Sequence, residues 1–468
     1  MSEELWRHGA LDLAAMISRR EVTSREVVQA HLDRIDAVNP VVNAVVRRLD
    51  EVALDEADRA DRAVGAGRPL GPLHGVPVTV KENIDVAGTP TTQGVVALAE
   101  AIAGIDAPLV ERARGAGAIP IARTNLPDLG LRVTTESSLH GVTRNPWDPS
   151  RTAGGSSGGE AAALATGMSP LGFGNDIGGS LRNPAHCCGI ASIKPTTGVV
   201  PSATVVPPET QSLAAQFMLT DGPMARHVAD VRAGLLAIAG AHPRDVHSLP
   251  VTLADHTVGR PWRVAVLADP PGGDTATSIA AAVREVGDLL GARGAEIVHV
   301  EPPMYVRAIE LWMAVLAEDI RWQQPLADLV MGEGGRRFIS FALDYSPALS
   351  TGEFLPLLAE RHAIEMAWHA FFAEFDVLIS PTWAQPAFPI GHDITSLDAA
   401  LEVLATIRPV LPMNLLGLPA AVVPVGLADG LPIGVQVTGR RFADLTCLAV
   451  AEAIEAAVGV LTPIDPRR

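Results

Sequence analysis

The chain is poor in several features that would assign a protein quickly. It has three cysteines in 468 residues (Cys187, Cys188 and Cys447). They make no disulfide framework, and none has metal-site spacing. Cationic side chains are outnumbered, 36 Lys and Arg against 53 Asp and Glu, for a formal net charge of −17. That balance argues against a nucleic-acid surface, which needs clustered Lys and Arg. No apolar run reaches the ~18 residues expected of a membrane span. The start, Ser2-Glu3-Glu4-Leu5-Trp6-Arg7-His8, lacks the basic and apolar regions of a signal peptide. Internal repeats and low-complexity linkers are missing as well, and aromatic residues make up only 4%. A cytoplasmic protein with no nucleic-acid or membrane partner is expected.

The chain is rich in core-forming residues, 48% hydrophobic against 19% charged, so a large core forms and disorder is excluded. Its length would allow about three domains, but single large α/β domains of this size occur. The N-terminus reads as helices. Thr23-Ser24-Arg25-Glu26 has the capping-box pattern, Val28, Leu32 and Ile35 give one apolar stripe, and Asn39-Pro40 is expected to end the helix. A second helix is expected over about 50–64. Strand and helix signals then alternate. Gly75-Val76-Pro77-Val78-Thr79-Val80 reads as a buried strand ending on Lys81. Residues 263–267, 277–290 and 297–300 read as a βαβ unit. Strands at 421–426 and 433–437 flank Asp429-Gly430, a hairpin turn signal. The pattern predicts an α/β fold, a mixed twisted β-sheet covered by helices. A helical covering layer is expected over about 303–370.

Residues 154–180 carry the chemistry. They read Gly-Gly-Ser-Ser-Gly-Gly-Glu, an Ala-rich stretch, then Gly-Asn-Asp-Ile-Gly-Gly-Ser, so that Ser156 and Ser180 stand 24 positions apart. Three readings of Gly154–Gly159 compete: a flexible linker, a phosphate loop, and a nucleophile elbow centred on Ser157. The phosphate loop fails because no Gly-Lys-Ser/Thr follows. The elbow requires a strand running into the turn, and Asn145-Pro146-Trp147-Asp148-Pro149 is not one. Ser157 and Glu160 fit a capping box at the head of a helix, which leaves Ser156 the freer serine, beside the positive end of that helix. The second half supplies consecutive backbone N–H groups able to hold an oxyanion, each typically contributing ~3 kcal/mol to transition-state stability. A tight turn with a capping serine is the alternative.

A nucleophilic serine needs a base. None of the thirteen histidines sits in a triad context, and His186 reads as a structural residue. Lys81 ends an apolar strand, where burial would lower its pKa and let it accept a proton; a strand-end lysine reaching to solvent is the competing reading.

Taken together, these residues resemble the amidase signature family of serine hydrolases, including stand-alone amidases and fatty acid amide hydrolase-type enzymes. The matching segments are Leu73-His74-Gly75-Val76-Pro77-Val78-Thr79-Val80-Lys81-Glu82-Asn83, Asn145-Pro146-Trp147 with Gly154–Gly159, and Gly178-Gly179-Ser180-Leu181-Arg182 with Pro184-Ala185 and Lys194-Pro195. Asp221-Gly222-Pro223-Met224-Ala225-Arg226, Asn414-Leu415-Leu416-Gly417-Leu418-Pro419 and Gly434-Val435-Gln436 continue the likeness. It spans about residues 10 to 460.

The resemblance implies one amidase domain over 1–468, with the helices of 1–66 packed on the core, and no metal or cofactor. It implies Ser180 as nucleophile, Ser156 as a bridging serine after a cis bond from Gly155, and Lys81 as base. It also implies an oxyanion hole from the N–H groups of Ile177, Gly178, Gly179 and Ser180, with the backbone near Gly130 facing the acyl pocket. Three positions depart from the usual pattern: Asn175 for a common threonine, Glu82 for aspartate, and Ala191-Ser192 for a small residue and glycine.

The expected reaction is amide hydrolysis through an acyl-enzyme, with esters, anilides and carbamates (urethanes) open to the same machinery. Two rivals stand beside it. One is the A subunit of a tRNA-dependent amidotransferase, although Thr197-Gly198-Val199-Val200-Pro201 resembles the stand-alone enzymes more. The other is a catalytically silent binding protein. The pocket is expected to draw on the loop after Thr124 and the helices of 304–370, with Trp312, Trp322 and Trp383 as candidate walls or ordinary packing. The partner is a small amide-type molecule, and a homodimer is the default assembly.

Overall fold

The computed structural model describes residues 4–467 apart from 208, 256 and 258. Its centre is a mixed sheet of eleven strands. In spatial order the strands are Val45–Arg48, Ile119–Thr124, Pro77–Lys81, Leu171–Asp176, Thr220–Ala225, Ala191–Lys194, Ala420–Ala428, Leu431–Gly439, Val377–Pro381, Arg263–Val266 and Glu296–His299. Pro77–Lys81 runs parallel to both of its neighbours, whereas Thr220–Ala225 runs antiparallel to both of its own.

Alternate residues of a strand point to opposite faces, and here each face has its own core. Ala420, Val422 and Leu378 join one apolar cluster, and Ala421, Val423, Val377 and Ile379 join the other. Helices Gly158–Ala165, Arg182–Cys188, Tyr305–Val330 and Thr351–Glu374 cover the first face. Helices Ala10–Ser18, Pro108–Gly115, Val228–Ile238, Thr277–Ala292 and Asp444–Val458 cover the second. The α/β expectation and the hairpin about Asp429-Gly430 hold, the latter joining Ala420–Ala428 to Leu431–Gly439. The stretch after residue 303 forms three helices, Tyr305–Val330, Glu333–Tyr345 and Thr351–Glu374.

Two local expectations are corrected. The helix that opens on the Thr23/Glu26 capping box does not stop at Asn39-Pro40. It runs over Ser24–Val42 with Pro40 inside it and closes on Asn43 in the left-handed region. A proline in the last turn removes a single backbone bond, and Asn39 Oδ1 accepts from the N–H groups of Ala44 and Val45 just beyond. Ser157 does sit at the N-cap of Gly158–Ala165, but no capping box forms. Glu160 turns to the sheet instead, accepting from Thr79 and, at 2.8 Å, from Thr124 Oγ1. The Gly158 N–H is met by Thr135 Oγ1 at 3.0 Å.

Candidate active site

Topology brings three distant segments to one edge of the sheet. Pro77–Lys81 and Leu171–Asp176 are parallel neighbours, so Lys81 and the turn that follows Asp176 emerge at the same end. Helix Gly158–Ala165 leads through a short turn into Leu171–Asp176, which carries the chain back to the level of the helix start. The serines that precede the helix therefore lie beside those that follow the strand, and the Ser157 N–H donates to the Ser180 carbonyl at 3.2 Å. Residues 153–165 are buried throughout, which removes the flexible-linker reading. The Gly155–Ser156 peptide bond is cis. Gly155 is dictated by crowding: a Cβ there would lie 2.6 Å from the Thr134 nitrogen.

Lys81 is fully buried and its Nζ donates to Ser156 Oγ at 2.7 Å and to Asn175 Oδ1 at 2.7 Å. Burial lowers its pKa to about 7, against the carboxyls of Asp221, Asp176 and Glu160, which act to raise it. Ser180 lies on the same cavity as Ser156, and among the described residues no hydrogen bond joins their side chains. Beyond the strand end, Asp176 is locked to Arg182, whose Nε and Nη2 donate at 3.0 Å to its two oxygens. Burial disfavours the Asp176 carboxylate, yet Arg182, Lys194 and Asn414 hold its pKa well below the usual range.

That carboxylate shapes the turn. It accepts from the N–H groups of Gly179 at 2.7 Å and Leu181 at 3.1 Å. Gly179 thus differs from the other expected oxyanion donors, because its N–H is spent on Asp176. The N–H groups of Ile177, Gly178 and Ser180 have no partner among the described residues. Trp312, from the long helix Tyr305–Val330, braces the same turn. Its Nε1 donates to the Ile177 carbonyl at 2.9 Å, and its ring comes so close that a Cβ on Gly178 would lie 2.5 Å away.

Two chambers meet at Ser180, Ile177 and Gly130. The larger, of about 710 Å³, is the more polar of the two and is reached by Ser156, Asn83, Asn175, Asp221 and Gln323. The smaller, of about 90 Å³, is walled by Leu131, Val133, Trp312, Leu316, Phe338 and Ile407. Arg132 adjoins it, but its guanidinium is taken by Asp393 at 2.9 Å and Glu136 at 2.8 Å. Gly130, at φ +70°, sits against Ser156 where the chambers join.

Of the tryptophans flagged in the sequence, Trp312 lines the apolar chamber, Trp322 is exposed, and Trp383 is buried packing against His186 and Phe388. His186 is a core residue whose Nδ1 accepts from the Gly434 N–H at 3.1 Å, and burial takes its pKa down to about 4. Glu82 is likewise structural, held by Thr92 at 2.5 Å and His140 at 2.6 Å. Sequence reasoning missed Asn83 and Asp221 as site residues. A carboxylate in the wholly buried strand Thr220–Ala225 was the available signal for Asp221. Among the described residues no group of three or more His, Cys, Asp or Glu side chains could hold a metal ion, and no helix is long and apolar enough to cross a membrane.

The sequence pattern of the amidase family matches residues 26–448. Indoleacetamide hydrolase of Bradyrhizobium diazoefficiens is 40% identical over 98% of this chain and 88% of its own length. The A subunit of the glutamyl-tRNA(Gln) amidotransferase of Salinispora arenicola is 35% identical over 97% of this chain and 98% of its own. Among solved structures, 6-aminohexanoate cyclic dimer hydrolase complexed with substrate superposes with a TM-score of 0.83 at 28% identity, covering 97% of this chain and 98% of that one. The chain belongs to the amidase family and is an amide-hydrolysing enzyme.

Proposed function

We propose that this enzyme hydrolyses amides of uncharged, apolar carboxylic acids through a Ser180 acyl-enzyme, with Ser156 and Lys81 as its proton relay. The observation that carries the reading is the 2.7 Å contact between Lys81 Nζ and Ser156 Oγ on the wall that also bears Ser180. Ser180 Oγ attacks the carbonyl carbon and passes its proton to Ser156, which gives its own to the neutral Lys81 amine. The carbonyl oxygen becomes an oxyanion facing the free N–H groups of Ile177, Gly178 and Ser180. Returning the proton along the same path releases the amine, and water repeats the sequence on the ester. Esters, anilides and carbamates present the same carbonyl to this machinery.

Ser156 faces the polar chamber, so the leaving amine belongs there and the acyl group falls in the apolar one. An aryl or short alkyl group suits those walls, in keeping with the indoleacetamide hydrolase relative. Glutamine does not. Its acyl portion carries an ammonium and a carboxylate, and Arg132, the charged group at that chamber, is already paired. This disfavours the amidotransferase reading.

The test is turnover of a simple arylacetamide by Ser180→Ala and Lys81→Ala variants. Both should be folded and inactive, and glutaminase activity should be undetectable. Turnover retained by pure, folded Ser180→Ala protein would sink the proposal.

A further inference from the structure

Lys81 has a second partner that the relay does not use. Its Nζ donates to Asn175 Oδ1 at the same 2.7 Å as to Ser156. The Asn175 amide cannot turn over freely, because it exchanges hydrogen bonds with Asn83. Asn175 Nδ2 donates to Asn83 Oδ1 at 3.1 Å, and Asn83 Nδ2 donates back to Asn175 Oδ1 at 3.3 Å. Opposite Asn175 in register, on the antiparallel strand Thr220–Ala225, stands Asp221, buried yet on the wall of the polar chamber. Burial disfavours its ionised form, and Ser202 and Asn175 act to favour it.

We propose that Asn175 is a positioning residue for the base. Its amide oxygen holds one N–H of Lys81 so that the nitrogen lone pair faces Ser156, and its amide nitrogen, donating to Asn83, fixes the amide in that orientation. The inference rests on the reading of Lys81 as base. An amide oxygen is an acceptor only, so a lysine amine beside it must turn an N–H toward it. A hydroxyl at this position, such as the threonine the sequence pattern leads one to expect, could donate instead and claim the lone pair.

Asp221 then acts on the lysine through charge. The other charged groups about Lys81 are engaged elsewhere: Asp176 with Arg182, and Glu160 with Thr79 and Thr124. Arg123, on the flanking strand, faces the carbonyls of Val80, Lys81 and Ile84. Of the three carboxyls that act on Lys81, Asp221 is the one left on the chamber wall. Burial pushes its pKa up to about 7, and its charge, once ionised, acts to raise that of Lys81.

The experiment is the pH profile of kcat/KM, with kcat and KM separately, on a neutral arylacetamide. Asn175→Thr should lower kcat at least about tenfold with KM nearly unchanged. Asp221→Asn removes a charge that favours lysinium and should move the acid limb about one pH unit lower; Asn175→Asp adds one and should move it higher. Asn83→Ala, which frees the amide without touching the base, keeps the test available if Asn175 variants do not fold, and should also lower kcat alone. An acid limb that stays put in Asp221→Asn and Asn175→Asp, or kcat values unmoved in Asn175→Thr and Asn83→Ala, would overturn the inference. If those results came with an inactive Lys81→Ala, the relay reading would survive. Activity in Lys81→Ala would refute the relay itself.

Discussion

Replacing Trp312 with phenylalanine deletes one N–H while leaving a ring in the apolar chamber. In the native protein that N–H holds the Ile177 carbonyl at 2.9 Å, at the start of the turn that carries Ser180. The loss of a neutral hydrogen bond removes about 1 kcal/mol. If the turn relaxes and one oxyanion donor leaves its line, the cost in the transition state approaches ~3 kcal/mol. Those limits correspond to a fall in kcat of between about 5-fold and about 150-fold. KM should change little, since the ring still lines the acyl wall. The assay is steady-state hydrolysis of an arylacetamide, beside labelling of Ser180 by an alkyl fluorophosphonate, whose trigonal-bipyramidal transition state uses the same donors. Both rates should fall together. A Trp312→Phe enzyme with unchanged kcat and a raised KM would refute the reasoning and reduce Trp312 to a wall.

Further outcomes follow from the same geometry. Because burial lowers Lys81 to about 7, the lysine is protonated and unable to accept below that pH. The kcat/KM profile should therefore climb with rising pH and be half-developed near pH 7; a rate that falls across that range would contradict the sign. Gly155→Ala forces a Cβ against the backbone of residues 132–134 and should cost ~1–3 kcal/mol in urea unfolding. Arg182→Met strands the buried Asp176 carboxylate and should destabilise the fold by ~3–5 kcal/mol; a change below ~1 kcal/mol would show that the pair is dispensable.

The sequence carried the local structure well. The capping box at Thr23, the strand ending on Lys81 and the Asp429-Gly430 hairpin are written in residues that touch their sequence neighbours. Lys81, Ser156 and Ser180 could be singled out because long motifs surround each of them. Pro40 misled, since proline's rule concerns helix interiors and this one falls in the last turn. Glu160 misled because its spacing from Ser157 fits a cap, while Thr79 and Thr124, on two strands beneath, offer it buried partners. The contact of Asn175 with Lys81 spans 94 residues and that of Trp312 with Ile177 spans 135. Such pairs are fixed by the order of strands and by helix packing, which no local pattern encodes.

The most direct test of the account is to locate the nucleophile. The enzyme is treated with an alkyl fluorophosphonate, digested, and the adduct mapped by mass spectrometry. The account predicts a single adduct on Ser180, abolished in Ser180→Ala and formed far more slowly in Lys81→Ala. An adduct on Ser156 or Ser157, or undiminished labelling of the Ser180→Ala protein, would contradict it.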